Sequence, residues 1–155
     1  MAAAASDRPR VRVAALIVVD GRVVLVRHRV PAAAYHLLPG GGVDYRETLA
    51  EAVAREVREE TGLEVSVGPL LFANDTIDPR GTRHVINLTF AANVTGGHIT
   101  GTPDDERVEA VDLVSPESLG DLDLRPPMAR EIQDHLAGTP IANAYLGPLF
   151  TEGRR

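Results

Sequence analysis

The segment from Thr48 to Thr61 constrains this chain more than any other. It contains neither glycine nor proline, is rich in good helix formers, and stops at Gly62, a residue suited to a helix C-terminus. On a helix turning about 100° per residue, Leu49, Val53 and Val57 mark the apolar side, and Glu51, Arg55 and Arg58 lie roughly opposite. Glu56 and Glu60 then fall on the inward stripe, with Glu59 at its edge. Carboxylates spaced i, i+3 and i+4 crowd and repel one another unless a cation lies between them. Two readings follow: oxygen ligands holding a hard cation, Mg²⁺ or Mn²⁺, or glutamates paired with arginine. The chain has no cysteine and no His-Glu-x-x-His pair, which argues against zinc.

The residues before this helix add a second half. Pro39-Gly40-Gly41-Gly42 reads as a loop whose glycines let backbone approach a ligand closely. A helix N-terminus just beyond it favours an anion such as phosphate. Phosphate and metal held together are the ingredients of phosphoryl transfer to water.

The same residues carry a family resemblance. Gly41, five residues to Glu47, seven to Arg55-Glu56-Val57, then Glu59-Glu60, Gly62 and Leu63 match the Nudix box without a departure. The chain resembles the Nudix hydrolases over roughly Val11 to Leu136. The resemblance implies an α/β fold, a Nudix-like α/β/α sandwich with a mixed β-sheet. It also implies hydrolysis of a nucleoside diphosphate linked to another group X. By the same resemblance Glu56, Glu59 and Glu60 bind Mg²⁺, with Mn²⁺ as the alternative, and the Gly40 carbonyl completes the shell. Arg55 orients the first glutamate and Glu47 supports the loop and helix. A later acidic residue serves as general base or extra ligand; the candidates are Asp104, Asp105, Glu106 and Glu109, with Glu106 favoured. The implied reaction is attack of a metal-activated water on one phosphorus of a pyrophosphate.

The rest of the chain fits around this centre. Its 155 residues suit one domain. The expected layout is a flexible tail over 1–9, a domain over 10–136, and an irregular C-terminal tail over 137–155 packed on the domain or on a partner subunit. Strands are expected over Val11 to Val19 and Val23 to Arg27, paired through an Asp20-Gly21 hairpin, and over Leu63 to Phe72, His84 to Val94 and Val108 to Val114. A second helix is expected over Arg125 to Leu136 with Pro126 in its first turn. Strands mixed with two helices imply an α/β domain with helices packed on a mixed sheet. All 16 basic residues are arginine, which excludes a Schiff-base lysine and a P-loop lysine. A net charge of −6 disfavours broad binding to nucleic acid or an anionic membrane. No apolar run has the length of a signal peptide or a membrane span, so the cytoplasm is the default expectation.

Specificity is read from loops and aromatics. Pro79 lies 16 residues after Leu63, and Asp78-Pro79-Arg80-Gly81 resembles the stretch in Nudix enzymes acting on ADP-ribose and related dinucleotides; the other reading is an ordinary turn. Arg80 and Arg83, or Arg27 and Arg29, are candidate phosphate clamps against a solvated-surface reading. Tyr35 and Tyr45 flank the glycines and are candidates for base or sugar contact. Histidines 28, 36, 84, 98 and 135 show no ligand spacing and read as structural or surface residues. Leu146, Leu149 and Phe150 suit packing on the domain or in a homodimer. ADP-ribose, a related dinucleotide or a nucleotide sugar leads as the small nucleotide substrate. The alternatives are a nucleoside triphosphate pyrophosphatase of the mutator type, which removes oxidised nucleotides, and a non-catalytic Nudix sensor.

Overall fold

The computed structural model describes residues 8–100 and 106–150; the expected tail over 1–9 thus lies largely outside the described residues. Among the described residues nine strands and two α-helices follow in the order β1 Arg10–Leu16, β2 Val18–Val19, β3 Arg22–Val30, β4 Ala33–Leu37, β5 Gly40–Gly42, α1 Leu49–Thr61, β6 Leu63–Ile77, β7 His84–Gly97, β8 Val108–Val114, α2 Ala129–Leu136 and β9 Tyr145–Pro148. A 3₁₀ helix, Pro116–Asp121, lies between β8 and α2.

Two sheets share the strands. One is mixed, in the order β5-β1-β7-β6-β9, with β1 parallel to β7 and β9 parallel to β6. The other is antiparallel, with β3 flanked by β2 and β4 on one side and β8 on the other. The Asp20-Gly21 turn therefore joins β2 to β3 only, with Val18 opposite Val23. The expectation of one strand from Val11 to Val19 is corrected: the chain changes sheets at Ile17, so β1 never pairs with β3.

Alternation along β1 sorts the core into two clusters. Val13, Ala15 and Ile17 pack with Ala52, Val53 and Val57 of α1. Ala14 and Leu16 point the other way, joining Leu119, Met128 and Ile132. Val24 follows the first set while Val23 and Leu25 follow the second, so β3 obeys the same rule. The strands form a middle layer with α1 on one side and α2 on the other, the α/β/α arrangement that the resemblance implied. Each fully buried aliphatic side chain contributes about 1.5–3 kcal/mol, so this two-sided burial is the main stabilising term.

Local chemistry explains the ends of α1. Thr48 accepts from the Glu51 amide while Glu51 accepts from the Thr48 amide, a reciprocal cap. Gly62 closes the helix at φ 80°, where a Cβ would meet the carbonyl of His98. The buried stripe is Ala52, Val53, Glu56, Val57 and Glu60, whereas Leu49, expected inside, is exposed in the first turn.

Three further expectations are corrected. The glycine run is not a loop: Gly40–Gly42 pairs antiparallel with Arg12–Ala14 as an edge strand, because without side chains it can lie flush on β1. The second helix starts at Ala129 rather than Arg125, since Pro127 disfavours helical geometry at Pro126. The C-terminal stretch is not wholly irregular, because Tyr145–Pro148 adds an edge strand to β6.

Candidate active site

The glutamates of α1 converge on β5. Glu60 is 2% exposed, and its Oε1 accepts from the Gly40 amide at 2.6 Å. Glu56 is buried as well, and its carboxylate lies over Gly41 so closely that a Cβ there would overlap it. Gly40 is equally confined, because a Cβ would run into the Val13 carbonyl of β1. These glycines are needed for close approach rather than for turning. Glu59 stays half-exposed at the rim.

Arg55 fixes the assembly. Its Nε and Nη2 donate to the two oxygens of Glu47 at 2.7 and 2.9 Å, Nη1 donates to Glu56 at 2.8 Å, and Nη2 also reaches the Gly42 carbonyl at 3.0 Å. It lies half-buried across the cluster rather than opposite the apolar stripe. Arg55 and the Asp44 amide together hold the Glu47 carboxyl down to about 2. Glu47 in turn raises the guanidinium's affinity for its proton. Glu56 moves the other way: burial pushes its carboxyl up, against the pull of Arg55, and Glu60 and Glu59 add repulsion.

Two residues that the sequence did not single out approach from β1 and β3. Arg12 donates to the Leu38 carbonyl at 3.0 Å, and burial lowers its pKa while Glu60 and Glu56 oppose the shift. His28 lies with Nε2 at 4.0 Å from Glu60 Oε2 and Nδ1 at 3.2 Å from the Tyr35 hydroxyl. Its position two residues beyond Val26 and four beyond Val24, on the α1-facing side of β3, was the available signal. The structural role expected of His28 is incomplete, because its buried Nε2 has no hydrogen-bond partner.

The other candidates lie at varying distances from the carboxylates. Tyr35 packs its ring under the Arg125 guanidinium, 4.2 Å from the centroid, and against His28. Tyr45 is 96% exposed beyond β5. Arg27 sits 3.5 Å from both Glu109 and Asp112, and Arg29 pairs with Glu109. Arg80, 81% exposed in its side chain, lies in a turn closed on Asp78, whose carboxylate accepts from the Arg80 amide and the Thr82 hydroxyl. Glu106 is exposed in the turn before β8, while Asp104 and Asp105 lie outside the described residues. A small cleft between β1, β7 and the segment 124–128 is lined by Arg12, Asn87, Thr89, Leu124 and Arg125.

Comparison with known proteins agrees with this geometry. The family model described as the NUDIX domain matches residues 8–136. An ADP-ribose pyrophosphatase of Methanocaldococcus jannaschii is 39% identical over 108 residues, covering 68% of this chain and 63% of that protein, so the chain spans less than two thirds of its length. Phosphatase NudJ of Escherichia coli is 30% identical over 152 residues, covering 94% of this chain and 97% of its own. A crystal structure of a MutT NUDIX hydrolase from Burkholderia pseudomallei superposes with a TM-score of 0.64 at 34% identity, covering 83% of this chain and 98% of that one.

Proposed function

The chain belongs to the Nudix hydrolase family, and from that premise we propose that it is a metal-dependent pyrophosphohydrolase. Its substrate is a nucleoside diphosphate linked to a second group, with ADP-ribose leading. The observation that carries the chemistry is a pair of buried carboxylates, Glu56 and Glu60, set against glycine backbone, with the Glu56 carboxyl raised by burial and repulsion. Arg55 answers only part of that charge. A hard divalent cation fits the remainder, since the donors are all oxygen. Among the described residues no three His, Asp or Glu side chains are already grouped to hold a metal ion; the glutamates would draw together on the cation, with water and substrate phosphate filling the remaining positions, as Mg²⁺ prefers.

Glu56, Glu59, Glu60 and the Gly40 carbonyl would hold the cation. When bound, it lowers the pKa of water and neutralises charge on the phosphate oxygens. The chain's own work is to keep the ligands in place. Gly40 anchors Glu60, and Arg55, itself locked by Glu47 and the Gly42 carbonyl, anchors Glu56. Glu106 is the proposed acceptor of the water's proton.

The name of the archaeal relative supports ADP-ribose. The turn at Asp78–Gly81 does not add to it, because Arg80 folds back on its own turn. A second reading, a nucleoside triphosphate pyrophosphatase, is favoured by the 34% identity to the MutT NUDIX hydrolase from Burkholderia pseudomallei. Products separate the two: AMP with ribose phosphate, or a nucleoside monophosphate with pyrophosphate.

The test is incubation with Mg²⁺ and a panel of ADP-ribose, dinucleotides, nucleotide sugars and nucleoside triphosphates, with products identified by mass. Glu60→Gln is the control and should lower turnover by roughly 10²- to 10⁴-fold, the range for losing an essential catalytic group. An unchanged rate in that variant would overturn the role of the helix. Failure of every substrate would leave the sensor reading.

A further inference from the structure

The metal site proposed above contains only oxygen donors, yet one buried nitrogen points at it. We infer that His28 Nε2 is an additional ligand to the cation held by Glu60, giving the site a mixed nitrogen and oxygen donor set that favours Mn²⁺ over Mg²⁺. The inference rests on the proposed metal site and deepens it.

Three observations carry it. First, His28 Nε2 is fully shielded from solvent and has no hydrogen-bond partner, a rare condition for a ring nitrogen. Its nearest charged neighbour is Glu60 Oε2 at 4.0 Å, the oxygen that Gly40 does not use. The separation is too long for a hydrogen bond and short enough for both atoms to reach one cation after a small shift.

Second, the opposite ring nitrogen is anchored as a metal-binding imidazole requires. Such a histidine donates its other N–H to an acceptor, which fixes the tautomer and aims the free lone pair. Nδ1 lies 3.2 Å from the Tyr35 hydroxyl. Donation from Nδ1 to that oxygen leaves the lone pair on Nε2, facing Glu60. Tyr35 is itself held by the Arg125 guanidinium at 4.2 Å from its centroid, and Arg125 is fixed by Asp123 through bonds of 3.1 and 2.8 Å.

Third, β3 pairs with β4 in unbroken register through Val26, Arg27 and His28, so strand alternation carries His28 to the α1-facing side with Val24. Imidazole nitrogen suits the borderline transition ions, whereas Mg²⁺ prefers oxygen throughout.

The test is electron spin-echo envelope modulation of Mn²⁺ bound to the full chain, which detects directly coordinated ¹⁴N without any need for turnover. The expected result is an imidazole ¹⁴N coupling in the wild type that disappears in His28→Gln, with Mn²⁺ affinity falling at least about tenfold and Mg²⁺ affinity changing little. Tyr35→Phe keeps the ring but removes the acceptor, and should weaken Mn²⁺ binding by roughly 10- to 100-fold. Bound Mn²⁺ without ¹⁴N coupling in the wild type overturns the inference, as does coupling that survives in a folded His28→Gln protein. Glu60→Gln separates the two levels: if it abolishes Mn²⁺ binding while the wild type shows no ¹⁴N, only the role of His28 fails. If it leaves Mn²⁺ binding intact, the proposed metal helix fails with it.

Discussion

Arg55 shows how much one side chain can decide. A guanidinium presents a planar fork that pairs with a carboxylate through two parallel bonds, and here that fork is spent on Glu47 while a third donor holds Glu56. Lysine offers no such fork, so Arg55→Lys would not be conservative. The consequence for pH follows from Glu47, whose carboxyl falls from 4.5 to about 2. A depressed carboxyl stabilises the fold fully above its unfolded pKa and loses that contribution as pH falls through the folded value. Glu47→Gln should therefore melt below the wild type near neutral pH, and the gap should narrow as pH drops from 4.5 toward 2. Thermal melts across that window check it; a gap independent of pH would remove the charge from the account. Glu56, Glu59 and Glu60 were legible from helix spacing, whereas Glu47 and Arg55 were legible only through the family resemblance, since periodicity alone sets Arg55 on the outward face. His28 and Arg12 were not, because they come from strands whose position beside α1 depends on sheet pairing.

At the scale of elements, the edges of the mixed sheet carry what was hardest to read. β5 is three glycines and β9 is Tyr145–Pro148, and neither has the β-branched pattern that marks a strand. Both exist through a neighbour. β5 lies on β1 because nothing projects from it, and β9 is bound to β6 through the Ala73 amide to Ala144 and the Leu149 amide to Asp75. A side-chain bond fastens β9 further: the Tyr145 hydroxyl donates to Asp75 at 2.6 Å, and His84 lies 3.2 Å from the same carboxylate. Both neighbours hold Asp75 below the usual carboxylate range, Tyr145 most of all. Tyr145→Phe should speed amide exchange at Ala73 and Leu149 while leaving α1 protected, read by hydrogen–deuterium exchange. Unchanged exchange would mean that backbone pairing and Leu146 packing alone hold the strand. The long helix α1, by contrast, was read with its length and its Gly62 stop intact, since its signals are all local.

At the scale of the molecule, the carboxylate cluster is a place where the fold keeps like charges buried in its own framework, and a cation should repay that strain. Anything that binds the native state alone stabilises it by mass action, about 2.7 kcal/mol at a hundred times Kd. Mg²⁺ or Mn²⁺ should raise the melting temperature of the wild type, and a chelator should reverse the gain; in Glu60→Gln the shift should vanish. Calorimetry with and without metal checks this, and an equal shift in both proteins would place the cation elsewhere. The sequence by itself determined the helix, its Gly62 stop, the inward glutamates and the family signature, because each depends on residues within about one box of chain. Only the tertiary structure decided that the strands divide into two sheets, that the glycines form a strand beneath Glu56 and Glu60, and that His28 meets Glu60 across 32 residues of sequence. The physical reason is that periodicity reports which face of an element is buried but not which partner buries it, and that choice is made by packing.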